Sequence, residues 1–348
     1  MPSIPPFDPR THENLAPHLF ILGAGASRAA LPDGDPNGRL VPVMKELIPT
    51  LGLNEVLSRA GVPTAPTDFE ALYDDLASSG FNPHLLGELE DAVRDYFASL
   101  TLPPSPTIYD YLLCYLRPKD VIATFNWDPL LPLAYERNMH LDGLPHTLFL
   151  HGNVAIGICY RCRVKTKAGG LCPSCHQPVQ HSRLLFPVRN KDYTSDQFIQ
   201  SEWDTLRDTI RSAYLVTIFG YSAPSTDIAA RDAMLSVWQQ NPYKELAQFE
   251  IVDIRPRDEL HREWSQFITR EHYGVFNDFM DTYLFRYPRR SCDAFSSASL
   301  MLEPWPLNHP PRFNALTQLH EWLQPLLEEE GALRSQGHPL STGPPQTQ

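Results

Sequence analysis

The sequence lacks any apolar run of the roughly 20 residues that a membrane-spanning helix needs. Its first residues, MPSIPPFDPRTHENL, also lack the basic-then-apolar order of a secretory signal. These two absences argue against a membrane-embedded class, and they lead us to expect a cytoplasmic protein that has no membrane partner.

Positive charge is also in short supply. The chain of 348 residues carries 29 lysines and arginines against 41 aspartates and glutamates, a formal net charge of −12. A negative field of this kind opposes non-specific attraction to nucleic acid, so we expect no direct nucleic-acid partner. The length allows a large core, built as one large domain with a subdomain or as two domains.

Composition divides the chain into segments, and no internal repeat is present. A proline-rich N-terminal extension occupies residues 1–17, and the main domain is predicted over 18–290 with a cysteine module inserted at 155–185. A C-terminal helical segment follows at 291–330. Residues 331–348 are polar and rich in glycine and proline, which predicts a disordered tail.

Apolar, β-branched runs predict buried strands, and amphipathic stretches between them predict helices. Buried strands that alternate with helices indicate a doubly wound α/β domain with a parallel sheet covered on both faces. Asp227 is expected to cap a helix, and Pro325 to end or kink one. The predicted strands are residues 18–22, 121–125, 147–150, 214–219 and 249–254, and the predicted helices are 84–100, 107–116, 129–137, 196–213, 227–239 and 312–330.

The first predicted strand runs directly into a turn of small residues. Backbone N–H groups in such a strand-to-helix turn can approach a pyrophosphate closely. The third glycine of the usual fingerprint is absent, so a tight turn with a purely structural role is the alternative. The turn consists of Gly23, Ala24, Gly25, Ala26 and Ser27.

Two later strands end in residues that suit the same ligand. Gly220-Tyr221-Ser222 forms a second turn after a strand, and Asp253 ends another strand with a carboxylate that could accept from a ribose hydroxyl. For Asp253, a turn or helix cap is an equal alternative.

Polar groups also close the predicted strand that ends in Thr124 and Phe125. Asn126 at this edge could hold a water molecule or a ribose hydroxyl through its amide. Asp128 could orient that amide, although capping of the helix that follows Pro129 is the simpler interpretation.

His151 follows the predicted strand 147–150 and precedes Gly152. A neutral imidazole at this place could act as a general base toward water or a sugar hydroxyl. The alternative is an ordinary packed or solvated histidine.

Four of the six cysteines form two CxxC pairs separated by nine residues. This spacing is typical of a tetrahedral four-thiolate zinc site, in which no position is left open and the metal is structural. An iron–sulfur cluster and redox thiols are the alternatives. The predicted ligands are Cys159, Cys162, Cys172 and Cys175, while Cys114 is expected to be a buried thiol and Cys292 a loop thiol.

Together, and in this order, these motifs resemble those of the sirtuin superfamily of NAD-consuming proteins, over about residues 19–254. The resemblance implies a Rossmann-like domain that takes NAD as its substrate and carries a structural Zn²⁺ module. It implies that Asn126 positions the ribose and a water molecule and that His151 is the base. It also implies that NAD is bound by the two glycine turns and by Asp33, Thr124, Asp128 and Asp253.

The sequence departs from the protein deacylases of that family at two places. Their GIPDFR segment is represented by Leu31-Pro32-Asp33 followed by Gly34-Asp35, and residues 184–193 replace the FGE segment that helps dock an acyl-lysine peptide. In this respect the chain resembles divergent bacterial sirtuin-like domains that hydrolyse NAD in antiphage defence.

The resemblance therefore implies an NAD glycohydrolase that releases nicotinamide and ADP-ribose. Such an activity would need control, and we expect a homo-oligomer or a regulatory protein partner. An NAD-dependent deacylase or ADP-ribosyl transferase is the second interpretation. A non-catalytic nucleotide-sensing module is the third.

Overall fold

The computed structural model describes residues 15–63, 68–80, 82–189, 191–269, 272–307 and 310–335. Most of the predicted N-terminal extension and residues 336–348 of the predicted tail lie outside this part of the chain. The last helix continues to Ser335, so the first five residues of the predicted tail are helical.

The core of the fold is a six-stranded parallel sheet. Numbered by their own order along the chain, its strands lie in the sequence 3-2-1-4-5-6, the arrangement of dinucleotide-binding α/β domains. The predicted doubly wound fold is therefore confirmed. The strands of the whole chain are β1 His18–Leu22, β2 Val121–Thr124, β3 His146–Phe149, β4 Ile156–Cys159, β5 Val164–Lys167, β6 Gln180–His181, β7 Leu215–Phe219, β8 Gln248–Val252 and β9 Tyr273–Phe276, of which β4, β5 and β6 form a separate sheet.

The burial of each strand explains whether it could be predicted from the sequence. Every residue of β1, β2, β7 and β8 is buried, because helices cover both faces of a parallel sheet. The edge strand β9 is only half-buried and includes Gly274, so it has no continuous apolar run and was not predicted.

The helices agree with the predicted ones to within a few residues where a prediction was made. Six helices were not predicted, among them short ones with too few turns to show a helical period, and they lie at residues 47–50, 54–59, 69–79, 257–264, 283–286 and 291–300. The helices are α1 Ala24–Ala30, α2 Leu47–Thr50, α3 Asn54–Arg59, α4 Phe69–Ser79, α5 Pro83–Ala98, α6 Ile108–Tyr115, α7 Leu130–Asn138, α8 Gln197–Ser212, α9 Ile228–Trp238, α10 Arg257–Trp264, α11 Tyr283–Arg286, α12 Ser291–Leu300 and α13 Leu316–Ser335.

Two local predictions were wrong, and a third is narrowed. Asp227 precedes α9 but makes no capping hydrogen bond with its side chain. Pro325 does not end α13, which continues for ten residues after it, and a kink at this proline stays a prediction. Cys292 is a buried residue of α12 rather than a loop thiol, whereas Cys114 is buried as expected.

The order of the strands places a switch point between β1 and β7. The chain leaves β1 toward β2 and β3 on one side, and it later leaves β7 toward β8 and β9 on the other. In open sheets of this kind, ligands bind outside the carboxyl ends of the strands at the switch point. The two glycine turns follow these two strands.

The cysteine module is a small antiparallel sheet in the order β5-β4-β6. Lys165 pairs with Glu202 of α8 at 3.0 Å, and Lys167 pairs with Glu136 of α7 at 2.9 Å. Both pairs join the module to the main domain.

In the described part of the chain, no helix has the length and apolar character required to cross a membrane.

Candidate functional site

The two glycine turns pack directly against each other. The backbone N–H of Gly23 donates to Phe219 O at 3.0 Å, and that of Gly25 donates to Gly220 O at 2.9 Å. A Cβ atom on Gly23 would lie 2.5 Å from Gly220 O, and Gly220 itself has a φ of +60°. This backbone contact is a sufficient reason for the glycines, so phosphate binding by Gly23, Ala24, Gly25, Ala26 and Ser27 stays a prediction.

Asn126 is fixed at this edge by its amide nitrogen. Nδ2 lies 2.8 Å from Gly23 O, 2.9 Å from Ser27 Oγ and 3.3 Å from Tyr109 Oη. These acceptors identify the nitrogen of the amide, and none of the described residues donates to Oδ1. The free oxygen is thus an oriented acceptor for a hydroxyl group or a water molecule.

Ser27 is the centre of this network. Its hydroxyl donates to Asp128 Oδ2 at 2.6 Å and lies 2.6 Å from Tyr109 Oη. Because the single Ser27 proton goes to Asp128, the Tyr109 hydroxyl donates to Ser27, whose other lone pair accepts from Asn126. All hydrogen-bonding positions of this buried hydroxyl are filled, which holds the Asn126 side chain in one orientation.

Asp128 serves the fold as well as this network. Its Oδ1 accepts from Leu130 N at 3.1 Å at the start of α7, the capping contact expected from the sequence. Burial raises the pKa of Asp128, whereas the hydrogen bond from Ser27 lowers it. Thr124 Oγ1 accepts from Asn126 N at 3.0 Å and fixes the backbone of the same turn.

A cleft of about 400 Å³, including space open to solvent, lies beside Asn126. Apolar side chains form most of its wall, and Asn126, Ser27 and Asp128 supply its polar groups. It is lined by Ala24, Ser27, Val41, Pro42, Met44, Leu47, Phe97, Phe125, Asn126, Trp127 and Asp128.

His151 is not part of this lining. Its ring makes an edge contact with Phe125, with centroids 4.8 Å apart, and Phe125 in turn lines the cleft and stacks on Tyr221. Burial lowers the pKa of His151 to about 4, so the imidazole is neutral near pH 7. The structure therefore places the two predicted catalytic residues on the same edge, with Phe125 in contact with both the cleft and His151.

The remaining predicted NAD contacts are spread along the edge. Asp253 is paired with Arg255 at 3.0 Å, and the Tyr221 hydroxyl donates to Asp227 at 3.2 Å. Asp33 and Ser222 are exposed. None of these contacts tests nucleotide binding, and the assignments of Gly220, Tyr221, Ser222, Asp33 and Asp253 stay predictions.

The four predicted metal ligands do converge. The sulfur atoms of Cys159, Cys162, Cys172 and Cys175 all lie within 4.8 Å of one another, and those of Cys159 and Cys175 are 3.6 Å apart. Tetrahedral zinc with Zn–S bonds of about 2.3 Å requires sulfur atoms about 3.8 Å apart. The donor set and its spacing fit Zn²⁺.

Each CxxC pair is closed by a residue in the left-handed region. Arg163 follows the first pair with φ of 55°, and His176 follows the second with φ of 56°. Backbone N–H groups of Cys175 and Ser174 lower the pKa of Cys172 to about 6, which favours the thiolate that binds metal.

Some residues at this site have no signal in the sequence. Tyr109 lies inside an apolar helix, where an aromatic residue predicts only core packing. Lys191 and Tyr193 belong to residues 184–193, for which the sequence predicts no role in the site. Asp227 was assigned to a helix cap. Only their contacts in the structure connect them with Asn126 or His151.

No family model and no curated protein matches this chain. Among solved structures, it is similar to Sir2 in complex with the inhibitor EX-527, 2'-O-acetyl-ADP-ribose and deacetylated p53 peptide. The identity is 15%, the match covers 75% of this chain and 88% of that chain, and the TM-score is 0.36. A Sir2 homolog–NAD complex is 12% identical over 81% of this chain and 90% of that one, with a TM-score of 0.36. Likeness at this level assigns neither a family nor an activity.

Proposed function

We propose that this protein hydrolyses NAD at the bond between nicotinamide and ribose. NAD would lie across the carboxyl edge at the switch point, where the strand order itself favours a dinucleotide. Water supplies the hydroxyl group that bonds to the ribose carbon, and the nicotinamide leaves with the bonding electron pair. The products are nicotinamide, ADP-ribose and a proton.

The environment of Asn126 is the observation that carries this proposal. Its amide nitrogen is fully engaged by Gly23, Ser27 and Tyr109, and its oxygen is free beside the cleft. A fixed acceptor at this place can orient the attacking water or a ribose hydroxyl. Orientation of this kind lowers the barrier without any movement of protein dipoles during the reaction.

His151 is the proposed acceptor of the water proton. A base must be unprotonated at the working pH, and burial keeps this imidazole neutral. Phe125 lies against His151 and also lines the cleft, so a movement of its ring would open the cleft toward His151.

The segment that replaces the peptide-docking motif supports hydrolysis over deacylation. Leu184, Leu185 and Phe186 are buried, and Phe186 packs against Trp127 with ring centroids 4.9 Å apart. Leu185 N donates to His151 O at 3.0 Å. Side chains and backbone of this segment are thus used within the protein, which favours water over a peptide as the acceptor.

Zinc has a structural role in this proposal. The four thiolates would complete its coordination, so it offers no open position for a substrate or water. The metal would hold the module together.

Incubation of the purified protein with NAD tests the proposal. We expect nicotinamide release without any peptide, and Asn126→Ala and His151→Ala should each lower kcat by about 10²- to 10³-fold. Asn241→Ala is the matched control. Asn241 is a buried asparagine that does not line the cleft, and its amide donates to Ile210 O and Ala213 O. Release that strictly requires an acetyl-lysine peptide would establish deacylation instead, and NAD binding without turnover would indicate a sensing module.

We further propose that the activity serves antiphage defence by NAD depletion and is controlled by a homo-oligomer or a regulatory protein partner. Uncontrolled loss of NAD would kill the cell that makes the enzyme. The assay should therefore be repeated with extract from phage-infected cells, and the mass of the active species measured by light scattering. Equal activity of an isolated monomer with and without extract would contradict this control.

A further inference from the structure

Three segments from different parts of the chain meet around His151. The segment that includes Lys191 follows the cysteine module, the 3-10 turn Ser225–Asp227 precedes α9, and α4 lies next to both. Glu70 of α4 accepts from the Thr226 hydroxyl and from Thr226 N at 3.3 Å.

Lys191 forms a buried ion pair with Asp227. Its ammonium group contacts Asp227 Oδ1 and donates to Thr226 O at 3.0 Å, and both charged side chains are at least 94% buried. Removal of two charges from water is costly, and a buried pair of this kind is poor evidence for a role in stability alone. Asp227 has no capping role that would otherwise explain it.

His151 faces the same carboxylate oxygen. Its Nε2 atom lies 3.9 Å from Asp227 Oδ1, too far for a hydrogen bond, and has no hydrogen-bond partner among the described residues. A buried polar atom without a partner costs about 1–3 kcal/mol. Lys191 therefore occupies the oxygen atom that the His151 ring needs.

We propose that Asp227 is the positioning residue for His151 and that Lys191 competes with His151 for its carboxylate. The structure shows the arrangement in which Lys191 holds Asp227. A shift of about 1 Å, with Lys191 displaced, would bring Nε2–H of His151 into hydrogen-bond distance of Oδ1. The pairing is a property of the side chains alone, whereas its catalytic consequence rests on the proposed function.

This pairing would determine which nitrogen atom of His151 acts. With Nε2–H donating to Asp227, the lone pair lies on Nδ1, and the carboxylate stabilises the imidazolium that forms when Nδ1 takes a proton. While Lys191 holds Asp227, its positive charge opposes that protonation. Burial is the main cause of the low pKa of His151, the charge of Asp227 raises that pKa and the charge of Lys191 lowers it further, so displacement of Lys191 would make His151 a stronger base.

Among the residues that the structure describes, the other groups that face His151 are uncharged. Tyr193 stacks on its ring at 6.0 Å, and its hydroxyl also has no partner among the described residues. The Tyr221 hydroxyl donates to Asp227 Oδ2, and burial raises the pKa of both tyrosines. Lys191 and Asp227 are therefore the charges that can change the pKa of His151.

The test is an NMR titration of ¹⁵N-labelled His151, assigned by its loss in His151→Gln. We expect Lys191→Met to raise the pKa of His151 by about one unit or more, because an unopposed carboxylate favours the imidazolium. Its ¹⁵N shifts should report a proton on Nε2, and Asp227→Asn in the same background should remove the increase. Lys165→Met is the matched control, since it breaks a partly buried lysine–carboxylate pair elsewhere.

Thermal melting monitored by circular dichroism shows whether each variant is folded. If Lys191→Met does not fold, Lys191→Gln is used in its place, because it removes the charge but keeps a donor for Thr226 O. An unchanged His151 titration in the folded Lys191 variant would overturn the proposal.

Kinetics then separate this inference from the proposed function. Lys191→Met should raise the kcat of the purified protein in the absence of infected-cell extract. Asp227→Asn should lower kcat by about 10-fold or more with KM unchanged. A shifted titration without NAD turnover would support the pairing and count against the hydrolase. Turnover with an unshifted titration would count against the pairing only.

Discussion

Asn126 and His151 both follow buried strands at the carboxyl edge of the sheet, yet their surroundings differ. The Asn126 amide has its donors satisfied by Gly23 and Ser27 and lines an open cleft. The His151 Nε2 atom has no partner among the described residues, and the residue lies outside the cleft lining. One residue is ready for a ligand, while the other needs a rearrangement.

The difference has a physical origin in what each residue touches. The Asn126 network consists of neutral groups and one carboxylate, all within hydrogen-bond distance. The His151 surroundings contain a buried ion pair whose two charges can take other partners. Neutral networks with filled positions are rigid, whereas a shared carboxylate can exchange between two hydrogen-bond donors, here the Lys191 ammonium group and the neutral His151 ring. We therefore expect control of the site to act on the His151 side.

Removal of zinc should produce the largest loss of folding stability, and this loss should affect the surroundings of His151 rather than those of Asn126. Structural zinc contributes on the order of 10 kcal/mol to the folding of small modules. Chelation is therefore expected to unfold residues 155–185 and to loosen Leu185, whose N–H donates to His151 O. Zinc content and limited proteolysis of the module measure this. A metal-free protein with a protected module would count against a structural metal.

Gly152→Ala should be the next most severe change. Gly152 has a φ of +74°, and a Cβ atom there would lie 1.9 Å from Arg183 O, so we expect a loss of about 3 kcal/mol or more in the free energy of unfolding. Gly169→Ala is the matched control, because its φ is +73° and no atom lies within 4 Å of the new Cβ. It should lose only about 1 kcal/mol. Similar losses in urea denaturation would show that φ alone matters.

Ser27→Ala tests the rigidity of the Asn126 side. The Asn126 amide and the Tyr109 hydroxyl would both lose the Ser27 oxygen, so we expect kcat for NAD to fall about 10- to 100-fold with little change in KM. Steady-state nicotinamide release measures both constants. Ser236→Ala, at an exposed position of α9 that has no predicted role in NAD binding, is the comparison. If both variants keep wild-type kcat, the orientation of Asn126 is not limiting.

The acid dependence of stability should separate His151 from His18. Burial lowers the pKa of His18 to about 3 and that of His151 to about 4. Below pH 6.5 the unfolded chain takes up protons that the folded chain does not, so stability is lost as the pH falls toward these values. Each histidine contributes a slope of up to about 1.4 kcal/mol per pH unit.

Urea denaturation between pH 4.5 and 7 measures these slopes. His151→Gln should remove the contribution of one histidine to the slope. It should change the free energy of unfolding at pH 7 little, because Nε2 has no hydrogen-bond partner among the described residues. His18→Gln should also lower stability at pH 7, since both His18 nitrogen atoms are bonded to hydroxyl groups. An unchanged slope in both variants would show that these histidines are not the groups that titrate.

Much of the fold could be predicted from the sequence. Five of the six strands of the main sheet could be predicted, because strands with both faces buried are continuous apolar runs. The edge strand β9 was missed because it is only half-buried and has no such run. The cysteine spacing predicted a cluster that the structure brings together. The cap at Asp128 was also foreseen, because capping depends on neighbouring residues.

The site was predicted less completely, since its contacts join distant parts of the chain. Asn126 meets Gly23 across 103 positions, and Lys191 meets Asp227 across 36. A capping motif is local, so Asp227 looked like a cap, although its carboxylate is used by Lys191 and Tyr221 instead.

The sequence by itself determined the elements of this protein: which runs are buried, where the chain turns tightly and which four thiolates can share a metal. These properties depend on local side-chain chemistry and spacing. The tertiary structure decided that the glycine turns pack on each other, that Asn126 is locked beside a cleft and that Lys191 holds the carboxylate His151 lacks. These contacts depend on the order of the strands, which brings distant residues to one edge.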